Sequence, residues 1–362
     1  MKTVLLNPGP VTLSRRVREA MSRPDLCHRE PEFGALQDGL RRKLLDVYAL
    51  DPTDWAAVLL TGSGTAAVEA MLTSLVPADG RVLIVENGVY GERMSQIARA
   101  HGIAHERVAA RWSDAIDLSA VQRALGDGAF THVAVVHHET TTGRLNDIAG
   151  MSKLAAAHGA RLLLDGVSSF GAETLDFDGW HLDGCAATAN KCLHGVPGSA
   201  FVLVRRAVPA TAPSRTVYLD LHAYLAQQDR RATPFTQSVQ TFYALDEALD
   251  EFFEEGGRSG RQALFRYRTA RIREVLLALG VEPLLPDCES SCVLQSFRLP
   301  PGHDYEVVHD RLKQDGFIVY AGQGGLSGRV FRISVMGDIT EEDLNRLLDA
   351  FSTLFPAGRR WG

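Results

Sequence analysis

Short apolar runs alternate with helical patterns along the first two thirds of the chain. Each run is followed by a polar or glycine-rich turn, and several are separated by stretches whose apolar residues have helical spacing. Continuous apolar strands separated by helices are typical of a buried, mostly parallel sheet. We predict strands at Ala56–Thr61, Arg81–Glu86, His132–His137, Arg161–Asp165, Gly184–Thr188 and Ala200–Val204, and helices at Thr65–Leu75, Glu92–His101 and Met151–His158.

The last third of the chain has a different pattern. A long helical stretch from Ser238 to Ala278 is interrupted at Glu255–Gly257, and after Pro283 short strands and helices are mixed. The pattern predicts an α/β chain in which a large domain is followed by a small α+β domain. The elements predicted for the small domain are strands at Cys292–Phe297, Phe317–Ala321 and Arg329–Val335, and helices at Tyr305–Asp315 and Glu341–Phe351.

Length and charge exclude several classes of protein. The chain has 362 residues, which suits one large and one smaller domain, and a net charge of −6 without a long basic run. This charge argues against a nucleic-acid-binding or membrane-binding surface. The N-terminal apolar stretch Val4–Leu6 is too short for a signal peptide, and no apolar run reaches the ~20 residues that span a bilayer. We therefore expect a cytoplasmic protein.

The sequence contains no convincing metal site. Its five cysteines are scattered, and an odd number in a cytoplasmic protein favours free thiols. Cys288 and Cys292 are four residues apart, but no second pair of ligands completes a zinc site. His137 and His138 are adjacent on a predicted strand and so point to opposite faces. We expect no metal.

Lys191 is the lysine whose surroundings suggest chemistry. The chain has only five lysines, and Lys191 lies in a turn between two apolar strands. Burying a lysine is costly unless it has a partner or a covalent use. Desolvation lowers the pKa of the amine and makes it a nucleophile for Schiff-base formation. Taken alone, the segment leaves open a lysine that extends from the turn into solvent.

Other strand ends carry residues suited to a phosphorylated cofactor. Asp165 ends an apolar strand and fits either a helix N-cap near Ser168 or a partner for a pyridinium nitrogen. Gly62–Thr65 joins a strand to a helix, and helix N-termini bind anions, although many ordinary helix starts look similar. Tyr90 follows another strand and could stack on a planar ring. Since parallel strands end at one edge of a sheet, these residues with Lys191 predict a pyridoxal phosphate site.

Eight segments spread over nearly the whole chain carry a family resemblance. They are Leu6–Pro10, Cys27–Glu30, Gly62–Thr65, Asn87–Arg93, His138–Gly143, Asp165–Gly171, Asn190–Cys192 and Phe331–Ile333. Together they resemble the class V aminotransferases, which are pyridoxal phosphate enzymes of fold type I. Within that family, the Glu-Thr-Thr-Thr-Gly and Ser-Ser-Phe-Gly runs are most like the transaminases for 2-aminoethylphosphonate and pyruvate.

The resemblance implies an architecture and an activity. It implies a large cofactor-binding domain at residues 21–255 with a mostly parallel seven-stranded sheet, and a small α+β domain at residues 256–362. Residues 1–20 would contribute to the active site and to the small domain. The implied reaction moves the amino group of 2-aminoethylphosphonate to pyruvate, giving phosphonoacetaldehyde and alanine, in either direction. The enzyme would be a homodimer with its active site at the interface.

The resemblance also implies roles for the matching positions. Lys191 would form the Schiff base and carry the proton, and Asp165 would pair with the pyridinium nitrogen. Arg332 would bind the anionic end of the substrate, with Gly9 in the loop that closes over it. The other cofactor contacts would be Ser63, Gly64 and Thr65 at the phosphate, Tyr90 on the ring face, Thr141 near the phenolic oxygen, Val167, Asn190, and Thr236 from the neighbouring subunit.

Three departures from the family pattern concern the substrate more than the cofactor. Gly166-Val167 stands where Ala-Met is usual, His194 where Gln is frequent, and Ile333–Gly337 where an Asn is frequent. We expect these positions near the substrate end. The alternatives are therefore an alanine– or serine–glyoxylate aminotransferase and a transaminase for a modified aminoalkylphosphonate.

Two further alternatives differ in chemistry. A cysteine desulfurase would need a mobile catalytic cysteine, and Cys288 and Cys292 are poor candidates because they lie at the start of an apolar strand. A regulatory protein of this fold without enzymatic activity would be favoured by the loss of Lys191, which is present.

Overall fold

The strands end where apolar runs meet polar or glycine-containing turns. The computed structural model describes residues 2–208 and 214–355. Its strands are β1 (Val4–Leu5), β2 (Trp55–Gly62), β3 (Arg81–Glu86), β4 (Ala104–Ala109), β5 (His132–Val136), β6 (His138–Glu139), β7 (Arg144–Leu145), β8 (Arg161–Asp165), β9 (Leu182–Thr188), β10 (Gly198–Arg205), β11 (Leu294–Arg298), β12 (Phe317–Ile318), β13 (Tyr320–Ala321) and β14 (Val330–Ser334).

The helices begin at capping residues and proline, and glycine interrupts the longest helical stretch. Thr340 and Asp343 form a capping box, and Asp147 caps α6. Gly256, with φ +91°, separates α8 from α9 at the predicted break. The helices are α1 (Arg15–Ala20), α2 (Pro31–Asp46), α3 (Gly64–Leu75), α4 (Val89–Ala100), α5 (Leu118–Asp127), α6 (Ile148–Ala157), α7 (Leu221–Gln228), α8 (Val239–Glu254), α9 (Gly257–Ala278), α10 (Tyr305–Gln314) and α11 (Glu341–Leu354).

A seven-stranded sheet forms the centre of the large domain. Its order is β2-β10-β9-β8-β5-β3-β4, in which β9, β8, β5, β3 and β4 are parallel and β10 is antiparallel to both neighbours. Helices cover both faces, and two apolar clusters fill the layers between helices and sheet. The predicted mostly parallel seven-stranded sheet is confirmed.

Within the seven-stranded sheet, the apolar pattern did not predict one strand, β4. It lies at the sheet edge and is half exposed, with polar side chains at His105, Glu106 and Arg107. Edge strands often carry charge, because a charged edge resists pairing with another chain. The solvent exposure of β4 therefore removed the apolar signal that identified the other six strands of this sheet, including β2 at the opposite, buried edge.

The small domain is built on the sheet β11-β14-β13 with α9, α10 and α11. The N-terminal segment packs with this domain, since β1 pairs with β12 and Val4, Leu6 and Val11 share the apolar cluster of Phe297 and Phe331. The last seven residues of the predicted C-terminal domain, 356–362, lie outside the described residues. Among the helices described, none is both long and apolar enough to cross a bilayer.

Candidate active site

Lys191 lies in the turn between β9 and β10, beyond the carboxyl end of β9. Its Nζ donates a hydrogen bond to the carbonyl of Pro8. Burial lowers the pKa of Lys191 to about 8, and the charges of Arg332 and Arg93 act in the same direction. The lowered pKa makes the neutral amine, the form that acts as a Schiff-base nucleophile, available at a lower pH than for an ordinary lysine. The solvent-exposed lysine that the sequence left open does not occur.

Gly9 lies directly against the Lys191 side chain. A Cβ at Gly9 would be 2.9 Å from both Cε and Nζ of Lys191, and the φ of Gly9 is +123°. Only glycine tolerates both the close approach and this backbone conformation. The N-terminal segment therefore confines the lysine through Pro8 and Gly9.

Replacing Gly9 by alanine should displace Lys191 and lower kcat by roughly tenfold or more. The reason is that the added methyl group occupies the space of the amine and its neighbouring carbon. Steady-state kinetics and the rate at which borohydride fixes the cofactor to the protein would measure the effect. Gly39→Ala is a matched control, because nothing lies within 4 Å of a Cβ at that position in α2. Wild-type kcat in Gly9→Ala would show that the contact has no role in the reaction.

Asp165 is the last residue of β8, beside β9 in the sheet. Its Oδ1 accepts a hydrogen bond of 2.9 Å from the backbone N–H of Val167, and burial raises the pKa of its carboxyl group to about 6. The residues after it form turns, so Asp165 does not cap an α-helix as the sequence allowed. Among the residues that the structure describes, no side-chain cation forms an ion pair with Asp165, and such a buried carboxyl group suits a cationic ligand.

A cavity lies between Asp165 and the N-terminus of α3. Ser63, the N-cap of α3, makes no side-chain cap hydrogen bond and is exposed. Gly64 allows Val167 to approach, because a Cβ there would lie 2.7 Å from Val167 Cγ1. Free donors at a helix start form an anion site. The cavity is lined by Gly64, Thr65, Val68, Tyr90, Arg93, Asp165 and Val167.

Arg93 also lines this cavity, although the sequence analysis gave it no role. Its guanidinium carbon is 4.8 Å from the centre of the Tyr90 ring, and its Nη1 donates to Thr65 Oγ1 at 3.4 Å. Residues three apart on a helix share a face, so the spacing from Tyr90 is a signal that could have identified Arg93. Arg93 brings positive charge to the anion end of the cavity.

Glu139 is a second unpredicted residue, and it holds Tyr90 and Thr141 in place. Its carboxylate accepts hydrogen bonds from Thr141 Oγ1 at 2.6 Å, from the Thr141 N–H at 3.1 Å and from the Tyr90 N–H at 3.2 Å. Burial raises the pKa of Glu139 to about 7. The Thr141 hydroxyl also accepts from the Val89 N–H at 3.0 Å. One buried carboxyl group thus connects the start of α4 to Thr141.

Arg332 lies on β14 with only 2% of its surface exposed. Its Nε donates to the Ala321 carbonyl and its Nη1 to the Thr140 carbonyl, both at 2.9 Å. Nη1 also donates to Gln323 Oε1 at 3.4 Å. Among the described residues, no carboxylate forms an ion pair with Arg332. Its positive charge can therefore pair with a bound anion.

Five predicted cofactor residues do not line the cavity: Ser63, Thr141, Asn190, Lys191 and Thr236. Asn190 accepts a hydrogen bond from Thr188 Oγ1 at 2.8 Å and so shapes the turn that presents Lys191. Thr236 is exposed in the segment between α7 and α8. Its neighbours Gln237 and Ser238 bond to Thr61, near the start of α3. Within one chain, Thr236 therefore lies near the end of the cavity at the start of α3, but its side chain does not line the cavity.

The structure gives two of the three sequence departures a packing role. A Cβ at position 166 would lie 2.7 Å from Cys185 Sγ, so the cysteine fills the space that an alanine methyl group would need. His194 Nε2 accepts from the Gly337 N–H at 2.8 Å, and its ring packs on Phe265. His194 thus joins the lysine loop to the small domain.

Comparison with known proteins assigns the chain to a family. The family described as Aminotransferase class-V matches residues 26–347. The chain is 38% identical to the 2-aminoethylphosphonate–pyruvate transaminase of Klebsiella pneumoniae subsp. pneumoniae, over 96% of both chains. Alanine–glyoxylate aminotransferase from Nostoc sp. has a TM-score of 0.89 at 26% identity, covering 98% of this chain and 95% of that one. Pyridoxamine–pyruvate aminotransferase from Mesorhizobium loti has a TM-score of 0.89 at 27% identity, with coverages of 98% and 92%.

The residues present fit pyridoxal phosphate. Free donors at the start of α3 suit the phosphate, the buried Asp165 suits a pyridinium, and Tyr90 with Val167 line the space between them. Lys191, with its depressed pKa, is the one buried amine that the structure brings to this edge of the sheet within the described ranges. The chain belongs to the class V aminotransferases of fold type I, and its cofactor is pyridoxal phosphate.

Proposed function

We propose that this enzyme transfers the amino group of 2-aminoethylphosphonate to pyruvate, forming phosphonoacetaldehyde and alanine, in either direction. The observation that carries the proposal is the likeness to the Klebsiella transaminase over nearly the whole of both chains. The buried guanidinium of Arg332 supports it, because the geometry provides a charged partner for the anionic group of such an amine.

Each site residue has its own role in the proposed amino-group transfer. Bound pyridoxal phosphate supplies the electron sink that makes the amine-bearing carbon of the substrate acidic. Lys191 Nζ takes the proton from that carbon and later returns a proton, which its lowered pKa favours at neutral pH. Asp165 provides the negative charge that keeps a bound pyridinium protonated. Arg332 holds the anion, and Pro8 with Gly9 confines the lysine near the reacting carbon.

A panel of amine donors with pyruvate tests the substrate. We expect kcat/KM for 2-aminoethylphosphonate to exceed the value for serine by about 10²-fold or more. Alanine, as the product amine of a reversible transfer, should also react. The panel also contains β-alanine, which replaces the phosphonate by a carboxylate on the same carbon skeleton, and 1-hydroxy-2-aminoethylphosphonate. Formation of alanine would be measured for every donor except alanine itself, for which the exchange of isotopic label from alanine into pyruvate would be measured. If α-amino acids react fastest, the phosphonate assignment is wrong and a glyoxylate-type aminotransferase replaces it. A higher kcat/KM for 1-hydroxy-2-aminoethylphosphonate than for 2-aminoethylphosphonate would identify a modified aminoalkylphosphonate as the donor.

We further propose a cytoplasmic homodimer with the active site at its interface. Support comes from the exposed side chains next to the anion end: Thr236, Val217 at 81% exposure and Tyr218 at 43%. Tyr218 also donates to the Thr61 carbonyl at 3.1 Å, which places this exposed patch near the start of α3. Thr236 of one subunit would then contact the cofactor phosphate of the other. The division into residues 1–20, 21–255 and 256–362 is part of this proposal.

A further inference from the structure

The hydrogen bonds of Arg332 leave a restricted set of donors for a ligand. Nε has one hydrogen, which goes to the Ala321 carbonyl, and the two hydrogens of Nη1 go to the Thr140 carbonyl and to Gln323 Oε1. Within the described chain, Nη2 makes no hydrogen bond. Arg332 can therefore meet an anion through Nη2, but neither edge of the guanidinium can offer two free nitrogens at once.

This restriction matters for the kind of anion bound. A planar carboxylate binds an arginine best through two parallel hydrogen bonds from two nitrogens of one edge. Here each edge that contains Nη2 also contains Nε or Nη1, and both are engaged. A tetrahedral anion with three oxygens can accept from Nη2 through one oxygen and still offer two oxygens to other donors.

Gln323 brings an amide donor to the neighbourhood of the Arg332 guanidinium. Only the oxygen of its amide can accept from the guanidinium, so the contact of Oε1 with Nη1 directs Nε2 elsewhere. Among the residues that the structure describes, no acceptor is bonded to Gln323 Nε2. The amide N–H₂ is thus oriented by Arg332 and available to a ligand at the same end of the cleft.

The segment that carries Gln323 is fixed against the large domain. A Cβ at Gly324 would lie 2.5 Å from the Trp112 ring, so the backbone touches the indole closely. The Trp112 indole N–H donates to Glu92 Oε1 at 2.7 Å, and Glu92 is on α4 with Tyr90. Gln323 is therefore positioned relative to both Arg332 and the cofactor cavity.

We propose that Gln323 is a specificity-determining residue whose amide N–H₂ binds one oxygen of the substrate phosphonate beside Arg332 Nη2. This inference rests on the proposed function and deepens it, because it explains how the cleft distinguishes a phosphonate from a carboxylate. The preference for a phosphonate over a carboxylate comes from the neutral amide donor of Gln323 and from the one unengaged nitrogen of Arg332. Together they suit the three oxygens of a tetrahedral anion.

The test uses two unreactive ligands on the cofactor-loaded enzyme, ethylphosphonate and propionate, which lack the amine and differ only in the anionic group. Titration calorimetry would give Kd for each. We expect Gln323→Met to raise Kd for ethylphosphonate about tenfold, because a hydrogen bond to a charged group is lost, while Kd for propionate changes less than about twofold. Gln323→Glu keeps the acceptor for Arg332 but puts a negative charge beside the phosphonate, and Kd should rise further, by roughly 10²-fold.

Gln314→Met, at an exposed position near the end of α10, is the matched control and should bind both ligands as the wild type does. Cofactor absorbance and unfolding temperature of each variant establish that the site is formed. If the wild type binds propionate as tightly as ethylphosphonate, the phosphonate function is overturned and this inference with it. If the wild type prefers ethylphosphonate and both Gln323 variants retain that preference unchanged, the proposed function stands and the role of Gln323 is overturned.

Discussion

Replacing Lys191 by alanine should lower kcat by roughly 10⁴-fold or more, because the variant loses both its nucleophile and its proton carrier. Borohydride treatment followed by peptide mapping should place the cofactor on the peptide that contains residue 191 in the wild type, and on no peptide in the variant. Lys153→Ala is the matched control, since Lys153 is exposed on α6. Cofactor found on another lysine of the wild type would contradict the assignment.

The pKa of Lys191 adds a pH dependence to this result. In the cofactor-free protein, burial holds the pKa at about 8, so the amine is mostly protonated below that pH and mostly neutral above it. Only the neutral amine is a nucleophile. The rate at which the cofactor-free enzyme recaptures pyridoxal phosphate should therefore rise as the pH increases through about 8. A rate that continues to rise only near the ordinary lysine pKa of about 10 would show that Lys191 is not desolvated.

The strands of the sheet interior could be predicted from the sequence because burial on both faces makes them continuously apolar. β3 and β8 have the predicted bounds, since each run ends at an acidic residue, Glu86 or Asp165. β4 could not be predicted in this way, because it lies at the half-exposed edge of the sheet. The same physical cause, burial, thus explains both the success and the failure.

Local chemistry singled out Lys191, Asp165, Tyr90 and the Gly62–Thr65 turn, and the family resemblance supplied the other predicted site residues. Lys191 is anomalous between apolar strands, and Gly64 follows a strand and opens a helix. The roles of Glu139 and Gln323 depend on contacts across the fold. Glu139 is important through its bonds to Tyr90, 49 positions away, and Gln323 through its bond to Arg332 on a neighbouring strand. The pairing of Gly166 with Cys185 likewise requires the register between β8 and β9.

Asp165→Asn should separate the catalytic role of the carboxylate from its cost to folding. The amide oxygen of asparagine can still accept from the Val167 N–H, so the local turn is kept while the negative charge is removed. Without this charge a bound pyridinium loses its proton, and we expect kcat to fall roughly 10²- to 10³-fold. Kinetics and cofactor absorbance would measure the loss. Asp178→Asn, at an exposed aspartate, is the control. A variant with wild-type kcat would remove Asp165 from the reaction.

The cofactor-free form of the same variant should be more stable than the wild type at neutral pH. Burial raises the folded-state pKa of Asp165 from 3.8 to about 6. The unfolded chain therefore releases this proton at lower pH than the folded chain, and the free energy of unfolding of the wild type falls as the pH rises from about 4 to about 6. Asparagine does not titrate, so the higher Tm of the variant should be absent below about pH 4 and complete above about pH 6.

Bound cofactor should reverse the order of stability, because the pyridinium stabilises the ionised carboxylate that only the wild type possesses. Melting curves from about pH 4 to about pH 7, with and without pyridoxal phosphate, would measure the difference in Tm between variant and wild type in both states. A cofactor-free variant that is less stable than the wild type at pH 7 would contradict a desolvated Asp165.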